Sequence, residues 1–115
     1  MSASSKVRMK RLFRHGRCLD VAVDHGIANE PDFLQGLEDI EAVMQRLITA
    51  QPDAIQVNYG QADLLQCAEG VKPALVLRTD VGNAYNAVRH REMWAVLHNP
   101  DEPILAALQL DAAAV

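Results

Sequence analysis

Residues 18–26 read CLDVAVDHG, and the fold turns on that stretch. A short run of small and branched apolar residues stops abruptly at Asp24, His25 and Gly26. A buried parallel strand has this pattern. In α/β proteins the chemistry collects at the carboxyl ends of such strands. Asp24 is therefore predicted to bring a carboxylate to the edge of a sheet, where it is a candidate for proton transfer.

The same alternation continues downstream. Leu37, Ile40, Val43, Met44, Leu47 and Ile48 recur at helical spacing. Glu38 and Asp39 are expected in that helix's first turn, where the macrodipole favours acids. Pro52 and Asp53 follow its end. Residues 54–59 then read as strand two, 61–68 as a short helix with Gly70 just past its end, and 74–79 as strand three. Asp101, with Pro103 just inside the next turn, opens a further helix to about residue 110. Strands spaced by helices imply βαβ units, right-handed crossovers and a parallel sheet.

Residues 111–115, DAAAV, look like a turn entering a fourth strand. A (β/α)8 barrel needs around 250 residues, so the predicted fold is the N-terminal part of such a TIM barrel. It comprises about three and a half βα units and is cut within strand four. One partial domain is expected over residues 1–115: a basic N-terminal helix over 1–17, the first three strands over 18–80, a long βα loop over 81–99, and the last helix with the start of strand four over 100–115.

Composition narrows the function classes. Half of the 115 residues are apolar and 23% are charged, as in a soluble globular core. No apolar run approaches the roughly 18–20 residues a membrane helix needs. A net charge of -4 argues against a general nucleic-acid binder. Six basic residues (Lys6, Arg8, Lys10, Arg11, Arg14 and Arg17) crowd the first nineteen positions without an acid, which suits a surface helix closing the base of the domain. Cys18 and Cys67 lie in apolar segments without CxxC spacing, so reduced core cysteines in the cytoplasm are expected. No HxH or HxxxH pair accompanies His25, and neither a metal nor a cofactor is predicted.

Strand parity locates a pocket. On strand one, Leu19, Val21 and Val23 share one face, while Asp20, Ala22 and Asp24 share the other. The branched apolar set is expected under the helices. Strand two then sends Ile55, Val57 and Tyr59 outward and Gln56 and Asn58 inward. Strand three sends Leu75 and Leu77 outward and Val76, Arg78 and Asp80 inward. Asp24, Asn58 and Arg78 thus face one pocket, with Asp24 as the catalytic candidate and His25, Asn58 and Arg78 as substrate-binding candidates. The structural alternative is that Arg78 merely neutralises Asp20 or Asp24. His25 faces away from the interior unless the strand has already ended.

VAVDHGI at 21–27, GLEDI at 36–40 and DAIQVNYGQADLL at 53–65 resemble the DhnA-type class I aldolases. That family includes archaeal-type fructose-bisphosphate aldolase and 2-amino-3,7-dideoxy-D-threo-hept-6-ulosonate synthase. LAALQLDAAAV at 105–115 is similar to the family's third helix and fourth strand. The resemblance implies a barrel that binds a phosphorylated sugar or related keto substrate as a Schiff base on a lysine. It also implies a first-strand aspartate in proton transfer, which matches Asp24. A homo-oligomer is expected for the full-length protein, with no nucleic-acid or membrane partner. Two departures stand out. Asn29, Glu30 and Pro31 occupy the place where the family often carries a second His-Gly and a proline. The family's Schiff-base lysine lies on strand six, whereas the lysines here are Lys6, Lys10 and Lys72. The chain alone is therefore expected to be inactive.

Other classes compete. A response-regulator receiver also ends strand one in acids and carries an Asp after strand three, where Asp80 stands. His25, however, takes the place of its second metal-holding acid. Another TIM-barrel phosphosugar isomerase or decarboxylase fits the same alternation. So does a non-catalytic barrel remnant whose open edge pairs with another chain.

Overall fold

Val21, Ile55, Val57, Leu75 and Leu77 are branched or long apolar residues at alternate positions, the pattern of a pleated surface covered on one side. A computed structural model of the chain describes residues 3–28, 31–79 and 101–115. These apolar residues lie there in three parallel strands, β1 (Asp20–Ala22), β2 (Ala54–Asn58) and β3 (Ala74–Arg78), in the order β1-β2-β3. Asp20 pairs with Ala54, Ala54 with Ala74, and Asn58 with Arg78. β1 is shorter than the predicted 19–24. Its hydrogen bonding still runs on at both ends, from the Ala54 N–H to the Leu19 carbonyl (3.1 Å) and from the Val23 N–H to the Gln56 carbonyl (2.9 Å). The predicted 81–99 loop and Asp80 lie outside the described residues.

Helices cover one face of this sheet. They are α2 (Ile40–Ala50), α3 (Ala62–Gln66) and α4 (Asp101–Gln109), with α1 (Ala3–Leu12) ahead of the first strand. Met44, Ile55, Val57, Leu65, Leu75 and Leu77 form a fully buried core, with Leu37, Ile40, Val43, Leu47 and Ile48 packed on it. The outward set of strand parity is therefore the core, apart from its ends. Leu19 is 62% exposed because it precedes the strand, and Tyr59 leaves the sheet in a 3-10 turn (Tyr59–Gln61).

The start of α2 also departs from expectation. Asp39 is its N-cap, its side chain accepting from the Ala42 N–H at 3.1 Å, so Leu37 and Glu38 precede the helix. A capping carboxylate satisfies one of the orphan amides of the first turn, which a first-turn acid inside the helix does not do. At the other end, Gln51 closes α2 in a left-handed conformation (φ 55°), and its side-chain amide also donates to the Val71 carbonyl at 2.9 Å.

The chain end extends the sheet. Ala114 bridges Val76 in parallel, with the Ala113 N–H donating to Leu75 at 2.8 Å and the Leu77 N–H donating to Ala114 at 3.0 Å. α1 lies across the starts of the strands. Leu12 is buried against Ala54 and Ala113, and Arg11 Nη1 donates to Asp111 Oδ2 at 2.9 Å. Cys67 is exposed rather than in the core, since it caps α3 beyond the helix's apolar residues. Cys18 is half-buried, and desolvation, then the charges of Asp20 and Asp53, push its thiol pKa up. That makes it a poor nucleophile. Among the described residues no helix is long and apolar enough to cross a membrane.

Candidate active site

The sheet's inward face carries Asp20, Ala22 and Asp24 from the first strand region, Gln56 and Asn58 from β2, and Val76 and Arg78 from β3. Asp24 is 5% exposed, and it is the buried charged residue among those described. A carboxylate is rarely buried unless polar neighbours replace its lost hydration. Among the described residues two neighbours do so, and both meet Oδ2. Gln56 Nε2 donates to it at 2.7 Å from the adjacent strand. Arg78 Nη1 stands 3.7 Å away, from the strand beyond. Gln56 lies on β2 and Arg78 on β3, while Asp24 lies two residues past the end of β1.

This arrangement orients the carboxylate from two directions. The Gln56 contact is a short, direct hydrogen bond, whereas the Arg78 distance is that of an ion pair without ideal hydrogen-bond length. Arg78 is partly open to solvent, so its attraction for Asp24 is screened relative to a fully buried pair. The neutralising alternative is thus realised for Asp24, and the pair sits at the carboxyl edge of a parallel sheet.

Asn58 is half-buried at the last position of β2. The register sets it beside Arg78, and its side chain makes no capping bond to the turn that follows. His25 is exposed and opens the 3-10 turn His25–Ala28. β1 has ended at Ala22, so strand parity no longer governs His25, and it lies at the same edge as Asp24. Gln61 Oε1, in the turn after β2, is a buried acceptor with no partner among the described residues. No group of three or more metal-ligating side chains occurs among those residues.

Gln56 is the residue that sequence reasoning placed on the right face but left out of the site. The available signal was the parity itself, which put its amide on the Asp24 side of strand two.

Desolvation first, and the charge of Asp24 second, raise the pKa of Asp20. A carboxyl whose folded pKa lies above its unfolded one destabilises the fold once it ionises. That cost is absent below the unfolded pKa and fully present above the folded one. Asp20→Asn is accordingly expected to match the parent in acid and exceed its stability at neutral pH. Urea unfolding at pH 3 and pH 7 reads this directly, and an equal difference at both values would disprove it.

The family model described as DeoC/LacD family aldolase matches residues 18–115. An uncharacterized aldolase of Saccharolobus solfataricus is 34% identical over 84 residues, covering 70% of this chain. The chain spans about 30% of that protein's length. No solved structure gives a significant match.

Proposed function

The chain belongs to the DeoC/LacD aldolase family, and from that premise we propose that it is the front part of a class I, Schiff-base aldolase of the DhnA type. Its substrate is a phosphorylated sugar or a related keto compound, in which a carbon–carbon bond is cleaved or formed. One observation carries the reading: a buried carboxylate, Asp24, at the carboxyl edge of a parallel sheet, held by Gln56 at 2.7 Å. The full-length enzyme is proposed to act in the cytoplasm as a homo-oligomer, without a metal.

Aldol cleavage removes a proton from the hydroxyl that flanks the breaking bond, and condensation returns it. A positioned carboxylate does this work when it lies within hydrogen-bond reach of that hydroxyl. In this proposal Asp24 is the proton carrier, and Gln56 and Arg78 keep its Oδ2 in place. Asn58 and His25 hold substrate hydroxyls at the rim.

The covalent part needs an amine with a depressed pKa near the pocket. Lys6 and Lys10 lie on α1, and Lys72 lies immediately before β3, at the end of the sheet away from Asp24. The Schiff-base amine therefore comes from polypeptide outside these 115 residues. Borohydride reduction with dihydroxyacetone phosphate, read by intact mass, tests this division. The full-length protein should gain one reduced adduct and the 115-residue chain none. A catalytically active full-length protein that gains none would rule out Schiff-base chemistry.

A further inference from the structure

The end of the sheet opposite Asp24 carries a second concentration of charge. A recess of about 160 Å³ and a cleft of about 530 Å³ adjoin there, sharing Arg11, Arg14, Lys72, Pro73 and Ala74. They open where the segment after α1, the α2–β2 connection and the α3–β3 connection come together. The smaller recess sets three permanent cations, Arg11, Arg14 and Lys72, against one carboxylate, Asp53, with His15 also in its wall.

The local bonding leaves that cationic excess in place. Asp53 Oδ2 already accepts from the Leu19 N–H at 2.7 Å. Arg11 is engaged by Asp111 at 2.9 Å, on the side of the larger cleft. Lys72 Nζ donates to the Gln66 backbone carbonyl, a neutral acceptor that fixes the ammonium without cancelling its charge. Among the described residues neither Arg14 nor Lys72 has a carboxylate within 4.0 Å. A tight turn presents Arg14 and His15: the Gly16 N–H donates to the Phe13 carbonyl at 3.2 Å, and Gly16 takes φ 75°. That φ is open to glycine at little cost.

We propose that this recess binds a phosphate group, held by Arg14, Lys72 and His15, with the adjoining cleft taking the organic part when the phosphate is an ester. Concave walls of low dielectric focus the field of clustered cations and raise the local concentration of anions. Guanidinium and ammonium groups together satisfy the oxygens of a tetrahedral anion through charge-assisted hydrogen bonds. The site lies at the other end of the strands from Asp24 and is independent of the aldolase chemistry proposed for that residue.

The test is a titration of the protein, in the length its source makes, with inorganic phosphate and then with glycerol 3-phosphate. Ionic strength is held constant with chloride. NMR of the histidine rings reports binding, because His15 lines the recess and His25 stands at the far edge. Saturable shifts at His15 that chloride does not reproduce are expected. The double variant Arg14→Gln, Lys72→Met should bind about tenfold more weakly or worse. Should that variant fail to fold, Arg14→Gln alone, at an exposed position, must still weaken binding several-fold. Tighter binding of glycerol 3-phosphate than of phosphate marks an ester site, and equal binding marks a site for phosphate alone. Shifts confined to His25, shifts matched by chloride, or an affinity unchanged in the variants would each overturn the proposal.

Discussion

Asp24→Asn, made in the full-length protein, is expected to lower turnover by about 10²–10⁴-fold, the range for loss of a general acid or base. The substitution is nearly isosteric. The asparagine oxygen can still accept from Gln56, which donates to Oδ2 at 2.7 Å in the parent, so position is kept while the ability to take up a proton is lost. Arg78, 3.7 Å from Oδ2, loses its ionic contact with Asp24 but remains partly solvated, which limits the cost to folding. Steady-state assay of aldol cleavage, with circular dichroism as a check on folding, measures the effect. Turnover within a few-fold of the parent would remove Asp24 from the mechanism.

The largest effect on stability is expected from Ile55→Ala. Ile55 lies in the middle strand, in register with Val21 on one side and Leu75 on the other, and is fully buried with Met44 and Leu65 in the same cluster. Removing its outer carbons loses transfer free energy and leaves a cavity that flanking strands, tied by their hydrogen bonds, cannot close. The expected loss is about 2–5 kcal/mol, a large share of the roughly 5–15 kcal/mol that holds a typical domain. Urea unfolding of parent and variant reads the difference. Val71→Ala provides the contrast: that side chain is 74% exposed and its removal should change stability by no more than about 0.5 kcal/mol. Equal effects at the two positions would mean that the sheet–helix contact is not the core.

Both expectations rest on features of unequal legibility. The alternation of strand and helix patterns, and the position of Asp24 past the end of a short apolar run, could be read from the chain because periodicity and composition are local. Asp39 shows the limit of that reading. An acid near the start of a helical pattern fits either the first turn or the cap, and the backbone settles it by taking φ -97° and ψ 79° there, outside the helical region. His25 shows another limit: parity projected it away from the interior, but the strand ended at Ala22 and the projection lapsed with it.

The sequence by itself determined which side chains share a face, because a strand's period of two is a property of its own backbone. Gln56 and Arg78 fall on the inward face by that rule alone, whereas Asp24 lies past Ala22, with the ladder running on towards it through the bond from the Val23 N–H to the Gln56 carbonyl. The meeting of all three at Oδ2 of Asp24 was decided only by the tertiary structure. Face is set within a strand, whereas height along the sheet is set by stagger between strands, here Ala22 beside Gln56 and Asn58 beside Arg78. Stagger depends on how α2 and α3 pack their apolar residues over the sheet, a sum of many weak contacts between distant segments that no local pattern records.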